Sequence, residues 1–253
     1  MERSAKNPVH SLTKAFEILE VLVELDGAGV TEVAGALNEP KSTIHNYLST
    51  LLQEEYVVNE DGQYHLGLRF LELGIHARNR HELFTVGKSE AQRLARETGE
   101  FSNIAVEEYG HCITIYRNQG EMAVNSRHVG MRSSLHATAV GRAMLAHLPE
   151  DRVETVIEQQ GLQQFTERTI DNRDDLYDEL ETIQNRGYAF DDEELLQGLR
   201  CVAAPVLTTS GGIIGAISVS GPTTRLSGEY YHEELPKKVM EASNVISLNI
   251  EAN

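Results

Sequence analysis

Apolar side chains recur at helical spacing in three stretches of the first 55 residues, which predicts three amphipathic helices. The first stretch is SLTKAFEILEVLVEL at residues 11–25. Its apolar stripe comprises Leu12, Phe16, Leu19, Leu22 and Val23. After a Gly-rich break, TEVAGALN predicts a short helix capped by Thr31. The third, PKSTIHNYLSTLLQEE, places Pro40 in the first helical turn, where the missing N–H would have no partner anyway.

A β-hairpin pattern follows the third stretch. The sequence YVVNEDGQYHLG holds two short strands around Asp61–Gly62, a dipeptide typical of a tight hairpin turn. Three helices followed by a hairpin predict a winged helix-turn-helix over residues 1–66. In such a domain the third helix enters the major groove of DNA, and the first two hold it in place.

The face of the third helix that lies opposite its apolar stripe carries short hydrogen-bonding side chains. The predicted DNA contacts are Lys41, Ser42, Thr43, His45, Asn46 and Ser49. We expect the first three, near the helix start, to contact phosphates and the last three to reach base edges, which carry the sequence information. A plain surface helix, or a winged helix used only for protein contacts, is the alternative.

The remainder of the chain alternates strand and helix patterns, which predicts an α+β domain over residues 82–253 joined to the first by a linker helix at residues 67–81. The predicted helices are residues 83–98, 138–148, 151–160, 173–187 and a last one from about residue 229. The predicted strands are residues 101–109, 111–119, 201–207 and 213–220. A sheet with helices at its ends or on one face suits a small-molecule sensor.

One strand pattern points to a polar pocket in this domain. In AISVS, alternation places Ser218 and Ser220 on one face of the strand and Ile217 and Val219 on the other. Two inward hydroxyls in an apolar sheet are suited to hold a polar ligand, although they could equally bond to their own sheet.

Charge changes the DNA-binding picture only in part. The chain holds 39 acids against 22 bases, a formal charge of −17, with the acids dispersed and only six lysines. Such a surface is typical of proteins from cells that hold molar salt, where repulsion from phosphate is screened within about 3 Å. Residues 41–53 contain no acid, so the proposed reading helix is not itself acidic. No apolar run of membrane-spanning length and no signal-peptide core occur, and the two cysteines form no disulfide framework; we expect a cytoplasmic protein with reduced thiols.

Several motifs resemble the IclR family of transcriptional regulators. In the first domain these are SLTKAFEILEVL, PKSTIHNYLSTL and YHLGLRFLELG. In the second they are GMRSSLHATAVGRAMLA, RGYAFDDEELLQGLRCVAAPV and GAISVSGPTTRLS, so the resemblance covers residues 11–249. It departs from the family at Asn46, where an Arg is frequent, and at Val140, where a smaller residue is frequent; operator and ligand therefore cannot be borrowed from relatives.

The resemblance implies a GAF-like effector-binding fold and a regulator that acts as a homodimer or a dimer of dimers on a palindromic double-stranded operator, with no cofactor. It implies control of a catabolic operon by a small organic, sugar or aromatic acid. Dimer contacts would involve the first helix and the linker. Carried over by position, the effector-binding residues are Ala139 and Val140 (through backbone N–H groups), Asp191, Leu199, Cys201, Ser218 and Ser220. A helix N-terminus near Thr138 would favour a carboxylate.

Two other chemistries have candidate residues but lack the expected spacing. An enzyme would use Cys201 or Ser218 as nucleophile, His136 as base and Asp191 as its orienting partner, yet no G-x-S-x-G signature occurs. A metal sensor would draw on the donors His111, Cys112, His128 and His136, but no C-x-x-C or H-x-x-x-H spacing occurs. We therefore expect neither a catalytic site nor a metal site.

Overall fold

The computed structural model describes residues 5–123 and 129–252, and the chain divides into two compact units between Arg80 and His81. The first unit contains α1 (His10–Glu24), α2 (Val30–Leu37), α3 (Lys41–Gln53), β1 (Val57–Glu60), β2 (Gln63–Leu66) and α4 (Arg69–Asn79). Its core is formed by side chains from all three N-terminal helices and from the hairpin, among them Ile18, Leu22, Val33, Ile44, Leu48 and Val57.

The hairpin has the predicted turn. Strands β1 and β2 pair antiparallel, and Asp61 and Gly62 between them both have positive φ, 52° and 89°. Two successive residues with positive φ match the right-handed twist of the flanking strands. The Gly62 N–H donates to Asn59 Oδ1 at 3.0 Å, which fixes the turn further.

The face of α1 that enters the core differs from the predicted stripe. Ile18, Val21 and Leu22 are buried, whereas Leu12 and Phe16 remain 58% and 61% exposed. The apolar arc of α1 is wider than the surface that α2 and α3 cover, and periodicity alone does not say which part is covered.

Two predicted helix starts differ from the structure, that of α2 by two residues and that of α3 by one. Helix α2 begins at Val30 with Gly29 as its N-cap, so the prediction of Thr31 as cap is wrong. Thr31 makes no capping bond; instead the Glu32 carboxylate accepts a hydrogen bond from the Gly29 N–H at the start of the helix, at 2.8 Å. Pro40 precedes α3 as its N-cap, with ψ of 136°, and does not lie in the first turn.

The second unit is built on a six-stranded antiparallel sheet of order β5–β4–β3–β8–β7–β6. Its strands are β3 (Phe101–Glu108), β4 (His111–Gln119), β5 (Arg132–Ser134), β6 (Ala189–Asp192), β7 (Leu199–Leu207) and β8 (Ile213–Pro222). Its helices are α5 (Glu82–Thr98), α6 (Ala139–Leu145), α7 (Glu150–Gln160), α8 (Arg173–Arg186) and α9 (Leu235–Glu251), with a π-helical turn at Tyr230–Glu234. The sequence patterns did not predict the short edge strands β5 and β6.

Helices cover both faces of this sheet, which corrects the prediction of helices at its ends or on one face. Residues of α5 and α9 share one core with Ile104, Ile217 and Val219. Residues of α6, α7 and α8 share a second core with Ala105 and Ala216 from the other face. Strands β7 and β8 read as nearly continuous apolar runs because both of their faces are buried.

Candidate DNA-reading helix and ligand cavity

Helix α3 presents the predicted polar face outward. Ile44 and Leu48 on its inner side are fully buried. On its outer side five of the six predicted DNA contacts are exposed, and Thr43 is half-buried. The neighbouring Thr50 hydroxyl donates to the Asn46 backbone carbonyl at 2.9 Å, so the Thr50 side chain is bonded to its own helix. The outer face of α3 thus offers a row of accessible hydrogen-bonding groups.

Among residues 5–80, which the structure describes in this unit, basic side chains are few near this face. Lys41 is exposed at the start of α3. Lys14, on α1, is held by two carboxylates, Glu17 at 2.7 Å and Glu39 at 3.0 Å, and these ion pairs raise its pKa. Residues 1–80 hold seven bases against twelve acids, a net charge of −5. Binding to phosphate would therefore depend more on neutral donors than is usual.

The second unit contains a cavity of about 60 Å³ between the sheet and α6, and all seven effector-site candidates line it. By the usual measure this volume holds about four to six water molecules. Thr138, at the predicted helix N-terminus, and Cys112, considered above only as a metal donor, also line it. The remaining lining residues carried no sequence signal: Asn103, Thr114, Arg117, Met131, Ser133 and Leu195. The candidates come from four distant segments, and the fold brings them to one place.

The two serines of β8 are held by an amide from the neighbouring strand. Ser218 and Ser220 face the cavity, while Ile217 and Val219 enter the opposite core, as the alternation predicted. Asn103 Nδ2 donates to Ser218 Oγ at 3.3 Å and to Ser220 Oγ at 3.2 Å. Because each hydroxyl accepts this bond, its own proton remains available to donate. No local signal identified Asn103, since its role depends on the pairing of β3 with β8.

The start of α6 forms another part of the cavity wall. Thr138 is the N-cap, and its hydroxyl accepts from the Gly141 N–H at 3.1 Å and donates to the Ser134 carbonyl at 3.0 Å. The next two residues, Ala139 and Val140, line the cavity. The first amides of a helix have no acceptor within the helix, so both residues can turn an N–H toward a ligand.

Asp191 is the acidic residue of the described lining, and it is only 3% exposed. Burial raises the pKa of its carboxyl to about 6, against the opposing effect of the Arg142 guanidinium. Its Oδ1 accepts from the Glu194 N–H at 2.9 Å, and the Tyr231 hydroxyl donates to its backbone carbonyl at 3.1 Å. The carboxyl is thus fixed in place by these contacts.

A buried ion pair fastens α6 to the segment after β6. Arg142 is 1% exposed and pairs with the Glu194 carboxylate, at 2.6 Å for the Nη2–Oε1 contact. The same guanidinium donates to the carbonyls of His136, at 2.7 Å, and Phe190. The two sides of the cavity that carry Val140 and Asp191 are therefore held at a fixed separation.

The residues of the alternative chemistries are not assembled into a site. His136 lies outside the cavity lining that contains Cys201, Ser218 and Asp191; its Nε2 is 3.0 Å from the Gln163 carbonyl, and burial lowers its pKa. Across residues 5–123 and 129–252, no three His, Cys, Asp or Glu side chains are placed so that they could hold a metal ion together. His128 lies outside the described residues. In the same described part of the chain no helix is both long and apolar enough to span a membrane.

The first unit is a winged helix-turn-helix whose third helix presents a polar face, and the second unit contains a cavity with polar lining residues. This combination is typical of a transcriptional regulator with an effector-binding domain. Comparison with known families agrees. Residues 11–61 match the IclR helix-turn-helix domain, and residues 75–248 match the IclR C-terminal domain of bacterial transcriptional regulators. The chain belongs to the IclR family of transcriptional regulators. The alternative of a Cys or Ser enzyme is thereby excluded, since the family's members regulate transcription.

Individual relatives resemble this chain along nearly its whole length. The "Probable HTH-type transcriptional regulator ArcR" of Halobacterium salinarum is 35% identical over 248 residues, covering 96% of this chain and 94% of the relative. The transcriptional repressor IclR of Escherichia coli is 31% identical, covering 96% and 91%. The crystal structure of the Thermotoga maritima IclR superposes with a TM-score of 0.79 at 28% identity, covering 96% and 99%.

One further solved structure shares the fold. It is an IclR homologue of Microbacterium hydrocarbonoxydans in complex with 4-hydroxybenzoate, with a TM-score of 0.82 at 22% identity, covering 96% of this chain and all of the other.

Proposed function

We propose that this regulator binds a palindromic operator through the outer face of α3 and responds to a small organic acid held in the cavity of the second unit. The observation that carries the ligand part is the convergence of all seven candidate residues on one cavity. That an IclR homologue is complexed with 4-hydroxybenzoate supports an acid as ligand. The regulated genes would be a catabolic operon for that acid.

The proposed organisation is a DNA-binding domain at residues 1–66, a linker helix at residues 67–81 and an effector domain from residue 82. The division into compact units between Arg80 and His81 supports a boundary at the end of the linker. Helix α4, which occupies this linker, has no buried residue, so it has an apolar surface available to another subunit.

Dimer formation through α1 and α4 is supported by their exposed apolar side chains. Phe16, Leu19 and Val23 of α1 line a surface groove together with Leu66 and Phe70. A mainly apolar groove of this kind, which Glu20 and Glu24 also line, is suited to a subunit contact. Two such chains would place two copies of α3 on the half-sites of a symmetric operator.

We propose that the strongly negative net charge of the chain is an adaptation to high salt. A net charge of −17 with six lysines is unusual for a DNA-binding protein. The similarity to a Halobacterium regulator is in keeping with this reading. Screening by molar salt would allow an acidic chain to approach phosphates at short range.

The experiment that tests the proposed function is genome-wide mapping of DNA occupancy in the cells of origin. The wild type is compared with Asn46→Ala on α3 and with Asn249→Ala, a matched change at an exposed position of α9. We expect discrete peaks upstream of a catabolic operon for the wild type and Asn249→Ala, and loss of these peaks for Asn46→Ala. Peaks that survive Asn46→Ala would show that this side chain does not read the operator. No peaks for the wild type would favour a winged helix that contacts proteins.

A further inference from the structure

A second pocket lies beside the cavity and has a volume of about 450 Å³, against about 60 Å³ for the cavity itself. Its lining comes from residues 165–168, in the loop between α7 and α8, and from the segment 193–197, between β6 and β7. Of the described residues, Leu195 is the one that lines both this outer pocket and the inner cavity. The two spaces therefore share a wall at Leu195.

The segment that carries Leu195 is closed across its own base. We call residues 193–198 the strap, since they connect the end of β6 to the start of β7. The Glu193 N–H donates to the Leu199 carbonyl at 3.0 Å, and the Gly198 N–H donates to the Glu193 carboxylate at 2.8 Å. Because these bonds join its two ends, the strap can move as one piece about its junctions with the two strands.

Two threonines of the other loop hold the strap by its backbone. The Thr166 hydroxyl donates to the Glu193 carbonyl at 2.8 Å, and the Thr169 hydroxyl donates to the Glu194 carbonyl at 2.5 Å. Thr169 is 5% exposed, and its oxygen also accepts from the N–H groups of Phe165 and Thr166. These bonds belong to no helix or strand, so they can break in a local opening that leaves the sheet intact.

An ion pair on the outside adds to this attachment. The Arg168 guanidinium lies 2.8 Å from the Asp192 carboxylate and 3.3 Å from the Glu193 carboxylate. The Arg168 side chain is 54% exposed, and exposed ion pairs stabilise little and weaken as salt rises. The strap is thus held by two threonine hydroxyls and by a weaker contact that responds to salt.

We infer that the strap is a gate to the inner cavity and that Leu195 is the side chain that closes it. When the strap leaves Thr166 and Thr169, Leu195 leaves the shared wall, and a molecule can pass from the outer pocket into the cavity. The width of the passage, and so the size of the molecule that enters, is set by Leu195. As a gate for the effector, this inference rests on the proposed function of the cavity.

The cysteines of the chain report on access to the cavity. The chain has two, Cys112 and Cys201, and both line the inner cavity, at 1% and 7% exposed. The test follows alkylation of each by iodoacetamide, a small neutral reagent, in the full-length protein without DNA or effector, with mass spectrometry as readout. We expect alkylation much slower than in the urea-unfolded chain, with a rate that rises with urea far less steeply than global unfolding does, because opening of the strap exposes little surface.

Variants of the contacts that hold the strap test the gate itself. Thr166→Val should speed alkylation about 3- to 10-fold, the usual effect of one lost hydrogen bond. Arg168→Gln should speed it about 2- to 5-fold at low salt, and this difference should vanish in about 1 M salt. Thr182→Val and Arg173→Gln remove the same kinds of contact on α8, a hydroxyl bond to a backbone carbonyl and an exposed ion pair, and should leave the rates unchanged.

A bulkier reagent tests the role of Leu195. Leu195→Ala should raise the rate of alkylation by about tenfold or more, because it removes the side chain that fills the passage. The gain should be larger for N-phenylmaleimide than for iodoacetamide, since the wider reagent is the one that Leu195 holds back. Leu195→Met nearly conserves the side-chain volume and should react as the wild type does.

Three results would overturn the inference. Rates unchanged by both Thr166→Val and Leu195→Ala would place the entrance elsewhere. A urea dependence equal to that of global unfolding would mean that no local gate exists. Equal gains for both reagents in Leu195→Ala would show that this side chain does not select by size. Should Leu195→Ala fail to fold, Thr166→Val and Arg168→Gln decide whether the strap is the gate. Neither DNA nor effector is present, so these failures are distinct from failure of the proposed function, which the occupancy map tests.

Discussion

Replacement of Asp191 by Asn should change how the stability of this protein depends on pH. The Asp191 carboxyl is buried next to the cavity, and burial raises its pKa from the usual 3.8 to about 6. Arg142 opposes this rise and Glu194 adds to it. Asn keeps a carbonyl oxygen that can accept the Glu194 N–H, so the local turn should survive the change.

The sign follows from which state binds the proton more tightly. Since the pKa is higher in the folded protein, the carboxyl contributes stability that is fully present below about pH 3.8 and is lost as the pH rises through about 6. At about 1.4 kcal/mol for each factor of ten in acidity, the whole loss amounts to about 3 kcal/mol. About 2 kcal/mol of it should fall between about pH 4.5 and 7.5.

Urea unfolding at constant ionic strength measures this loss. The free energy of unfolding of Asp191→Asn, relative to the wild type, should rise by about 2 kcal/mol between about pH 4.5 and 7.5, because Asn cannot ionise. Asp178→Asn, on the exposed surface of α8, is the control and should follow the wild type across this range. If the free energy of unfolding changed with pH in the same way for the wild type and Asp191→Asn, the argument would be refuted. Asp191 would then have the same pKa in the folded and the unfolded protein.

Three further outcomes follow from the site. Glu194→Ala should lower the free energy of unfolding by about 3–5 kcal/mol, because it leaves the buried Arg142 charge unpaired. Glu154→Ala, which removes a more exposed pair with Arg173 and a hydrogen bond from Tyr177, should cost clearly less in the same urea titration. Ser220→Ala should weaken the dose–response to the effector in an operator-binding assay and leave the affinity for DNA without ligand unchanged. An unchanged dose–response would show that Ser220 does not bind the effector. Operator affinity measured against salt should fall less steeply than the usual slope of about −0.9 per neutralised phosphate, because the first unit is acidic; a full slope would contradict the salt-adaptation proposal.

Patterns that act over a few residues were readable from the sequence. The Asp61–Gly62 turn and the alternation of Ser218 and Ser220 with Ile217 and Val219 require only local backbone geometry, and the structure has both. The apolar stripe of α3 was equally readable, because a helix with one strongly apolar face and one polar face has a single way to pack. On α1 the apolar arc is wider, and the stripe did not predict which side chains the core would cover.

The acidic segment at residues 191–194 shows what the sequence left undecided. As a run of four acids it is typical of a solvated surface, and nothing in its order distinguishes its members. In the fold, Asp191 enters the cavity, Asp192 pairs with Arg200, and Glu194 pairs with the buried Arg142. Partners from distant parts of the chain give each carboxylate its role.

The sequence by itself determined the class of this protein: two domains, a third helix with an exposed polar face, a strand with inward hydroxyls, and family motifs along nearly the whole chain. Only the tertiary structure decided which further residues line the cavity, beyond the seven that the family resemblance supplied. The pairing of β3 with β8 brings Asn103 to the serines, and the pairing of β3 with β4 brings Arg117 to the wall. Strand pairing joins residues up to about 120 positions apart, and its register is set by the packing of both sheet faces, which no short window of sequence contains.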